Sequence, residues 1–259
     1  MFENFSRLVT KIRRLICREG FASFVRYALI TLVLKLTDLV LYPFKRRSVD
    51  EPFYGVFDRF VASVNRMAQP AAVLEIGSRN VSGTVRRALF SGHIAYTGFD
   101  IHAGENVDVV GDAHSLSAYF PDQQYDAVFS VSVFEHLAMP WKAILEINRI
   151  LKPGGLLYIS THPVWPPHEL PWDFWRFSGE SFKVLLNAHS GFEIIECMEG
   201  NPARIVSLSR DPATAGVYRS RINQSVAVLA HKCGETDSRL AWDVSTQEML
   251  DSMYPAGTR

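Results

Sequence analysis

The middle of the chain consists of short apolar runs, each about six residues long and each ending at small or acidic residues. Longer stretches, in which apolar residues recur every three or four positions, separate them. A short apolar run bounded by turn residues is typical of a buried strand, and the longer period is typical of a helix. The runs predict strands at about 71–76, 94–100, 107–110, 125–131, 155–161, 192–198 and 224–232.

The stretches between these runs predict the helices. A helix is expected over 52–67, and another over 82–90, where the hydroxyl of Ser82 can cap the first turn. A longer helix is expected over 133–152, interrupted near Pro140. Strands that alternate with helices predict an α/β fold, a doubly wound, Rossmann-like sheet of seven mostly parallel strands with helices on both faces.

The first 47 residues differ from the rest in charge. They hold ten Lys or Arg and three Asp or Glu, and the whole chain has 27 of each class, so this extension carries +7 and the remainder −7. Apolar residues from Phe5 to Ile16 recur at helical spacing, which predicts a basic amphipathic helix. The uncharged stretch 27–34 is too short to span a bilayer. The extension is expected either to lie on an anionic membrane surface or to pack against protein.

Composition and charge divide the chain into three expected parts: a helical extension over 1–47, an α/β domain over 48–235 and a polar tail over 236–259. The three cysteines lie far apart and show no C-x-x-C spacing, which indicates a reducing compartment. We therefore expect a cytoplasmic protein, and if the extension lies on a membrane, we expect it on the inner face. The domain itself is acidic, so nucleic acid is not an expected partner.

Polar groups stand where the first three predicted strands end. Glu75 and Gly77 close the first strand, Asp100 closes the second, and Gly111 and Asp112 follow the third. The carboxyl ends of parallel strands meet at one edge of a sheet, where nucleosides bind. A carboxylate about 20 residues after the first glycine turn accepts hydrogen bonds from ribose hydroxyls, and Asp100 has this spacing. The turn after Gly77 lacks G-x-G-x-x-G, so a dinucleotide is not expected.

Five ordered segments, VLEIGS, GFD, GDAHSL, YDAVFSVSVFEHL and ILKPGGLLYIS, resemble the class I S-adenosylmethionine-dependent methyltransferases over about residues 70–165. The resemblance implies S-adenosylmethionine as cofactor, with Asp112 at the adenine amino group and the backbone N–H of Ala113 at the ring. Glu75 is expected to face the cationic methionine end. Arg79 and Val81 stand where later glycines of the family would be, so the chain departs from the family at the methionine tail. The implied cofactor residues are Glu75, Gly77, Ser78, Asp100, Ile101, Asp112, Ala113 and Ser130.

The loop that follows the fifth predicted strand, THPVWPPHELPWDFWRFS, is rich in proline and aromatic residues. A loop of this kind at the carboxyl edge of a sheet is placed to bind an acceptor. The predicted acceptor residues are Trp172, Asp173, Trp175 and Arg176, because indoles stack on sugar rings and a guanidinium binds carboxylate or phosphate. The alternative is that the tryptophans cover the core and Arg176 pairs with Asp173. The string PWDFWRFS resembles a loop in bacterial methyltransferases of surface-glycan assembly, which implies a sugar or glycan acceptor.

Three histidines, His136, His162 and His168, are candidate general bases. A base is needed only if the acceptor must lose a proton, since methyl transfer depends mainly on holding acceptor, methyl and sulfur in line. The histidine spacing matches no recognised metal-ligand pattern, and no metal is expected. The expected function is O-methylation of a sugar or glycan-like acceptor at the cytoplasmic membrane face. The alternatives are methylation of a lipophilic quinone precursor and a non-catalytic binding protein.

Overall fold

The computed structural model describes residues 20–45, 47, 51–240 and 242. By its contacts the chain divides into two compact units, residues 1–47 and 48–259. The amphipathic helix expected over 5–16 and most of the expected tail lie outside the described residues.

The first unit contains one described α-helix, α1 (Phe21–Leu41), which a short 3-10 turn, Tyr42–Phe44, follows. Most of its large apolar side chains, among them Leu39 and Val40, are exposed. Lys45 forms an ion pair with Asp38. Within the described part of the chain, none of the helices combines the length and the apolar character that crossing a membrane requires.

The second unit is built on one seven-stranded sheet with the strand order β3-β2-β1-β4-β5-β7-β6. Strands β1 to β5 run parallel to one another, and β7 runs antiparallel to both β5 and β6. The expected doubly wound, mostly parallel sheet is therefore confirmed. The strands are β1 (Ala71–Ile76), β2 (Ile94–Asp100), β3 (Val109–Val110), β4 (Tyr125–Val131), β5 (Leu151–Thr161), β6 (Phe192–Ala203) and β7 (Ile222–Lys232), and the helices are α2 (Pro52–Asn65), α3 (Pro140–Ile150) and α4 (Gly179–Leu185).

Two hydrophobic cores cover the two faces of this sheet. On one face, Ile144 of α3 and Phe182 of α4 belong to a buried cluster with Val128. On the other face, Phe60 of α2 packs on Phe129, with ring centroids 5.7 Å apart. Because helices cover both faces, the central strands are apolar on both sides, which explains why their sequences read as continuous apolar runs.

The helix expected over 82–90 is wrong, because the structure has only a 3-10 turn there, Arg87–Leu89. The Asn80 side chain accepts a hydrogen bond from the Gly83 N–H at 2.8 Å, and Gly83 has a φ of +81°. An Asx turn followed by a left-handed residue cannot continue as a helix.

The helix expected over 133–152 begins only at Pro140. Residues Phe134–His136 form a separate 3-10 turn. Proline fixes a helical φ and needs no N–H partner in the first turn, so it starts α3 rather than interrupting it.

Candidate active site

A cavity of about 570 Å³ opens at the carboxyl edge of the sheet, beside the ends of β1 and β4, where the strand order reverses. Ligands of doubly wound sheets bind at this reversal, and the volume lies in the range of small-molecule sites. The lining comes from the segments that follow β1, β2, β3 and β4, and from the loop after β5. It includes Gly77, Arg79, Arg86, Asp100, Ile101, Asp112, Ala113, Ser132, Val133, His136, Leu137, His168, Glu169 and Trp172.

Gly77 brings two of these segments into close contact. It has a φ of +81°, and a Cβ atom at this position would lie 2.1 Å from Cγ2 of Val133. Any other residue type would displace the side chain of Val133 and would be strained at this φ. The glycine therefore sets the floor of the cavity between the ends of β1 and β4.

The carboxylate of Asp100 is held in place by backbone groups. Oδ2 accepts a hydrogen bond from the Arg79 N–H at 3.1 Å, and Oδ1 accepts one from the His102 N–H at 3.0 Å. A carboxylate has about four lone-pair sites, so Asp100 retains the capacity to accept from a pair of ribose hydroxyls.

Asp112 caps the 3-10 turn that begins at Ala113, since its Oδ1 accepts from the His114 N–H at 2.9 Å. Both Asp112 and Ala113 line the cavity. The residues predicted to hold ribose and adenine therefore lie around one cavity and fit a nucleoside.

Glu75 does not line this cavity. Its side chain is buried and accepts hydrogen bonds from Arg86 Nη1 at 3.2 Å and from the hydroxyl of Tyr96. Burial raises the pKa of Glu75, and the hydrogen bonds from Tyr96 and Arg86 oppose that rise. Arg86, and not Glu75, therefore lines the cavity, and contact of Glu75 with the methionine end stays a prediction.

Ser78 and Ser130, also predicted to bind the cofactor, are buried and do not line the cavity. The sequence analysis did not predict Arg86 as a site residue. Arg86 lies beyond the turn after β1, and its ion pair with Glu75 holds it at the cavity. No pattern around Arg86 indicates this position.

The three histidines occupy different places. His136 and His168 line the cavity, with their rings nearly perpendicular and their centroids 4.7 Å apart. His162 lies behind them, with Nε2 at 3.3 Å from Ser132 Oγ and 3.5 Å from Glu135 Oε1. Burial lowers the pKa of His162 in spite of the nearby Glu135.

The only group of metal-ligating side chains found among the described residues lies at this end of the cavity. Single donor atoms of Glu135, His136 and His168 lie within 4.8 Å of one another. The sequence-based expectation of no metal rested on spacing along the chain, which does not reveal this cluster.

The loop after β5 is tied down by Arg176. Its five N–H donors are directed to the two oxygens of Asp173 and to the carbonyls of Trp165, Pro166 and Trp175, at 2.6 to 3.3 Å. The pairing lowers the pKa of Asp173, mainly through the hydrogen bonds from Arg176. The expected contact of Arg176 with an acceptor would need some of these bonds to open, so the structure favours the alternative in which it pairs with Asp173.

The tryptophans of this loop also separate into two roles. Trp172 lines the cavity, whereas Trp175 donates from Nε1 to the Leu137 carbonyl at 2.9 Å and packs on Trp141. Of the four predicted acceptor residues, Trp172 alone belongs to the cavity lining. Acceptor contacts by Asp173 and Trp175 remain predictions.

Residues 74–159 match the model of a family described as "Methyltransferase domain". An uncharacterized methyltransferase of Mycobacterium sp. strain KMS is 31% identical over 128 residues, which are 44% of this chain and 50% of that protein. The 2-methyl-6-phytyl-1,4-hydroquinone methyltransferase of Synechocystis sp. is 40% identical over 69 residues, 26% of this chain and 20% of that protein. The solved structure of a candidate methyltransferase from Bacillus halodurans shares the fold, with a TM-score of 0.50 and 17% identity over 68% of this chain and 98% of that one.

The central part of this chain is a class I S-adenosylmethionine-dependent methyltransferase domain. S-adenosylmethionine is accordingly its cofactor. The chain spans half or less of the length of the two curated relatives described above. Of the glycines expected in the family's first turn, this chain keeps only Gly77. Arg79 and Arg86 line the cavity beside it.

Proposed function

We propose that this protein transfers the methyl group of S-adenosylmethionine to an oxygen of a sugar or glycan-like acceptor at the cytoplasmic face of the membrane. One observation carries the proposal: a single cavity is lined by the nucleoside-binding residues Asp100 and Asp112 and by His136, His168 and Trp172. Cofactor and acceptor residues that share one cavity can hold donor and acceptor in line, which is the main requirement of the reaction.

The chain's own residues divide the work. Asp100 and the backbone at Ala113 hold the nucleoside, and Arg86 offers a positive charge for the carboxylate of the methionine end. When bound, the cofactor supplies a methyl group on a positively charged sulfur. At the other end, the largely buried Trp172 contributes apolar lining for an acceptor, and the Nε2 atoms of His136 and His168 can accept hydrogen bonds from its hydroxyls.

A lipophilic quinone precursor is the second candidate acceptor. The relative from Synechocystis is named for a hydroquinone substrate, and the acceptor end of the cavity includes the apolar side chains of Val133 and Leu137. Both acceptors are available at a membrane, where the net charge of +7 over residues 1–47 favours binding to anionic lipid.

The test uses the full chain with methyl-labelled S-adenosylmethionine and two panels of acceptors, lipid-linked glycans and hydroquinones. We expect label in the glycan panel and its loss in Asp100→Ala. Label in the hydroquinone panel alone would show that the acceptor is a quinone precursor and not a glycan. If calorimetry shows that the cofactor binds while neither panel is labelled, the protein is a non-catalytic binding protein.

A further inference from the structure

Four side chains with metal-ligating chemistry meet where β4 and β5 end. Glu135 and His136 follow β4, His162 follows β5, and His168 belongs to the loop after β5. They come together because parallel strands deliver their carboxyl ends to one edge of the sheet. His136 and His168 face the cavity, and Glu135 lies beneath them.

The histidines are oriented as metal ligands usually are. Nδ1 of His136 lies 2.5 Å from the Trp172 carbonyl, and Nδ1 of His168 lies 3.2 Å from the Pro166 carbonyl. A carbonyl oxygen can only accept, so Nδ1 of each ring carries the proton and Nε2 carries the lone pair that can coordinate. Metal-bound histidines typically donate their second ring nitrogen to a carbonyl or carboxylate in this way.

Glu135 supplies an independent observation. Its side chain is fully buried, Oε2 accepts from Thr161 Oγ1 at 2.6 Å, and Oε1 has no hydrogen-bond partner among the described residues. A buried carboxylate oxygen without a donor is costly unless a positive charge compensates it. Nε2 of His162 lies 3.5 Å from Oε1.

We propose that Glu135, His136 and His168 bind one divalent transition-metal cation. Two imidazoles and one carboxylate form a ligand set that suits Zn²⁺ and neighbouring metals of its row and leaves coordination positions open. Donor atoms around such an ion, at about 2.0 to 2.2 Å from it, lie roughly 3 to 4 Å apart. One donor atom of each of the three residues lies within 4.8 Å of the others, so binding of an ion would draw these atoms slightly closer together.

The open positions of this ion would face the cavity, since His136 and His168 line it. A metal ion there would hold and acidify a hydroxyl oxygen of the acceptor, which sharpens the substrate class to hydroxylated acceptors. This use of the ion rests on the proposed methyl transfer. The binding of the ion itself does not.

The test is a calorimetric titration of the chelator-treated full chain with Zn²⁺, without cofactor or acceptor, and an absorption spectrum with Co²⁺. We expect one equivalent of Zn²⁺ to bind to the wild type. His168→Ala should raise the Kd at least tenfold, because even changes in groups that orient ligands cost about 10- to 100-fold in affinity. Glu135→Gln should do the same, and both should weaken the visible Co²⁺ bands.

His93→Ala is the matched control, because His93 lies at the opposite edge of the sheet, just before β2, and should leave the Kd unchanged. Equal Kd values for the wild type and His168→Ala, in a variant whose Tm is preserved, would overturn the proposal. So would the absence of Zn²⁺ uptake by the wild type. Zn²⁺ binding without methyl transfer to any acceptor would support the metal site and contradict the proposed function. Methyl transfer without Zn²⁺ binding would support the proposed function and contradict the metal site.

Discussion

Arg86 reaches back across the first turn of the domain and donates from Nη1 to Oε1 of Glu75 at 3.2 Å, so that a buried carboxylate holds a guanidinium at the cavity wall. The two residues are eleven positions apart in the sequence and belong to no common element. The pair places the guanidinium of Arg86, and not the carboxylate of Glu75, at the cavity wall.

Arg86→Met should lower both stability and cofactor affinity. The change leaves Glu75 buried without its cation, and an unsatisfied buried charged group costs about 1 to 3 kcal/mol or more. Urea unfolding and calorimetry with S-adenosylmethionine measure the two effects. Adding Glu75→Gln to Arg86→Met should restore part of the stability but none of the affinity. Restored affinity in the double variant would contradict a direct role for Arg86.

Glu75 should make stability depend on pH in a definite direction. Burial raises its pKa, so the folded protein keeps a proton that the unfolded chain releases near pH 4.3. Wild-type stability should therefore fall as the pH rises from about 4 through the folded pKa, and Glu75→Gln should lack this contribution. The measurement is urea unfolding of both proteins between pH 4 and pH 7. A stability difference that stays constant over this range would argue against the raised pKa.

Asp100→Ala should weaken S-adenosylmethionine binding at least tenfold. The change removes acceptors for ribose hydroxyls and frees the two backbone N–H groups of Arg79 and His102 that the carboxylate orders. Hydrogen bonds to a charged group contribute about 1.5 to 3 kcal/mol, which corresponds to about 10- to 100-fold in Kd. Asp122→Ala, at an exposed turn, is the control. Tight binding of NADH in place of S-adenosylmethionine would reject the assignment of the cavity.

Arg176→Ala should loosen the loop after β5 and leave cofactor binding nearly intact. The variant loses a two-pronged ion pair with Asp173 and three carbonyl contacts, and we expect a loss of about 1.5 to 3 kcal/mol in stability. Arg176→Lys should not rescue it, because an ammonium cannot form the same fork. Thermal unfolding and limited proteolysis of residues 163–176 are the measurements. An unchanged Tm with lost methyl transfer would instead indicate that Arg176 contacts the acceptor.

Neutralising the basic residues of the extension should weaken membrane binding. Replacing Arg7, Lys11, Arg13, Arg14 and Arg18 with Gln in the full chain should reduce co-sedimentation with anionic vesicles, since each such charge contributes about 1 kcal/mol near an anionic surface. Added salt should weaken the wild type in the same way. Vesicles of neutral lipid are the control. If both proteins sediment equally with anionic vesicles, the extension packs against protein instead.

The strands and the positions of Asp100 and Asp112 at the cavity follow from the sequence because both depend on local patterns. A strand covered on both faces must be apolar throughout, as in the residues from Tyr125 to Val131, and the residues that follow a strand must lie at its end, as Asp112 does. Arg86 and the metal-binding cluster do not follow from the sequence. Their positions depend on side-chain directions in turns, and Glu135 and His168 are brought together from 33 positions apart.

The helix expected over 82–90 shows how tertiary contacts override a local signal. Ser82 offers a cap, but Arg86 and Arg87 are drawn in different directions, toward Glu75 and toward Asp108. Valine and threonine beside Gly83 also favour extended backbone.

The segment over 132–137 takes part in both halves of the site. Val133 packs against the turn at Gly77, and the carbonyls of Glu135 and Leu137 receive hydrogen bonds from the backbone of Phe174 and from the indole and backbone of Trp175. One short stretch of backbone thus sets the distance between the donor side and the acceptor side of the cavity. A single residue inserted in 132–137 would therefore displace the contact with Gly77 and the contacts with Phe174 and Trp175 at once.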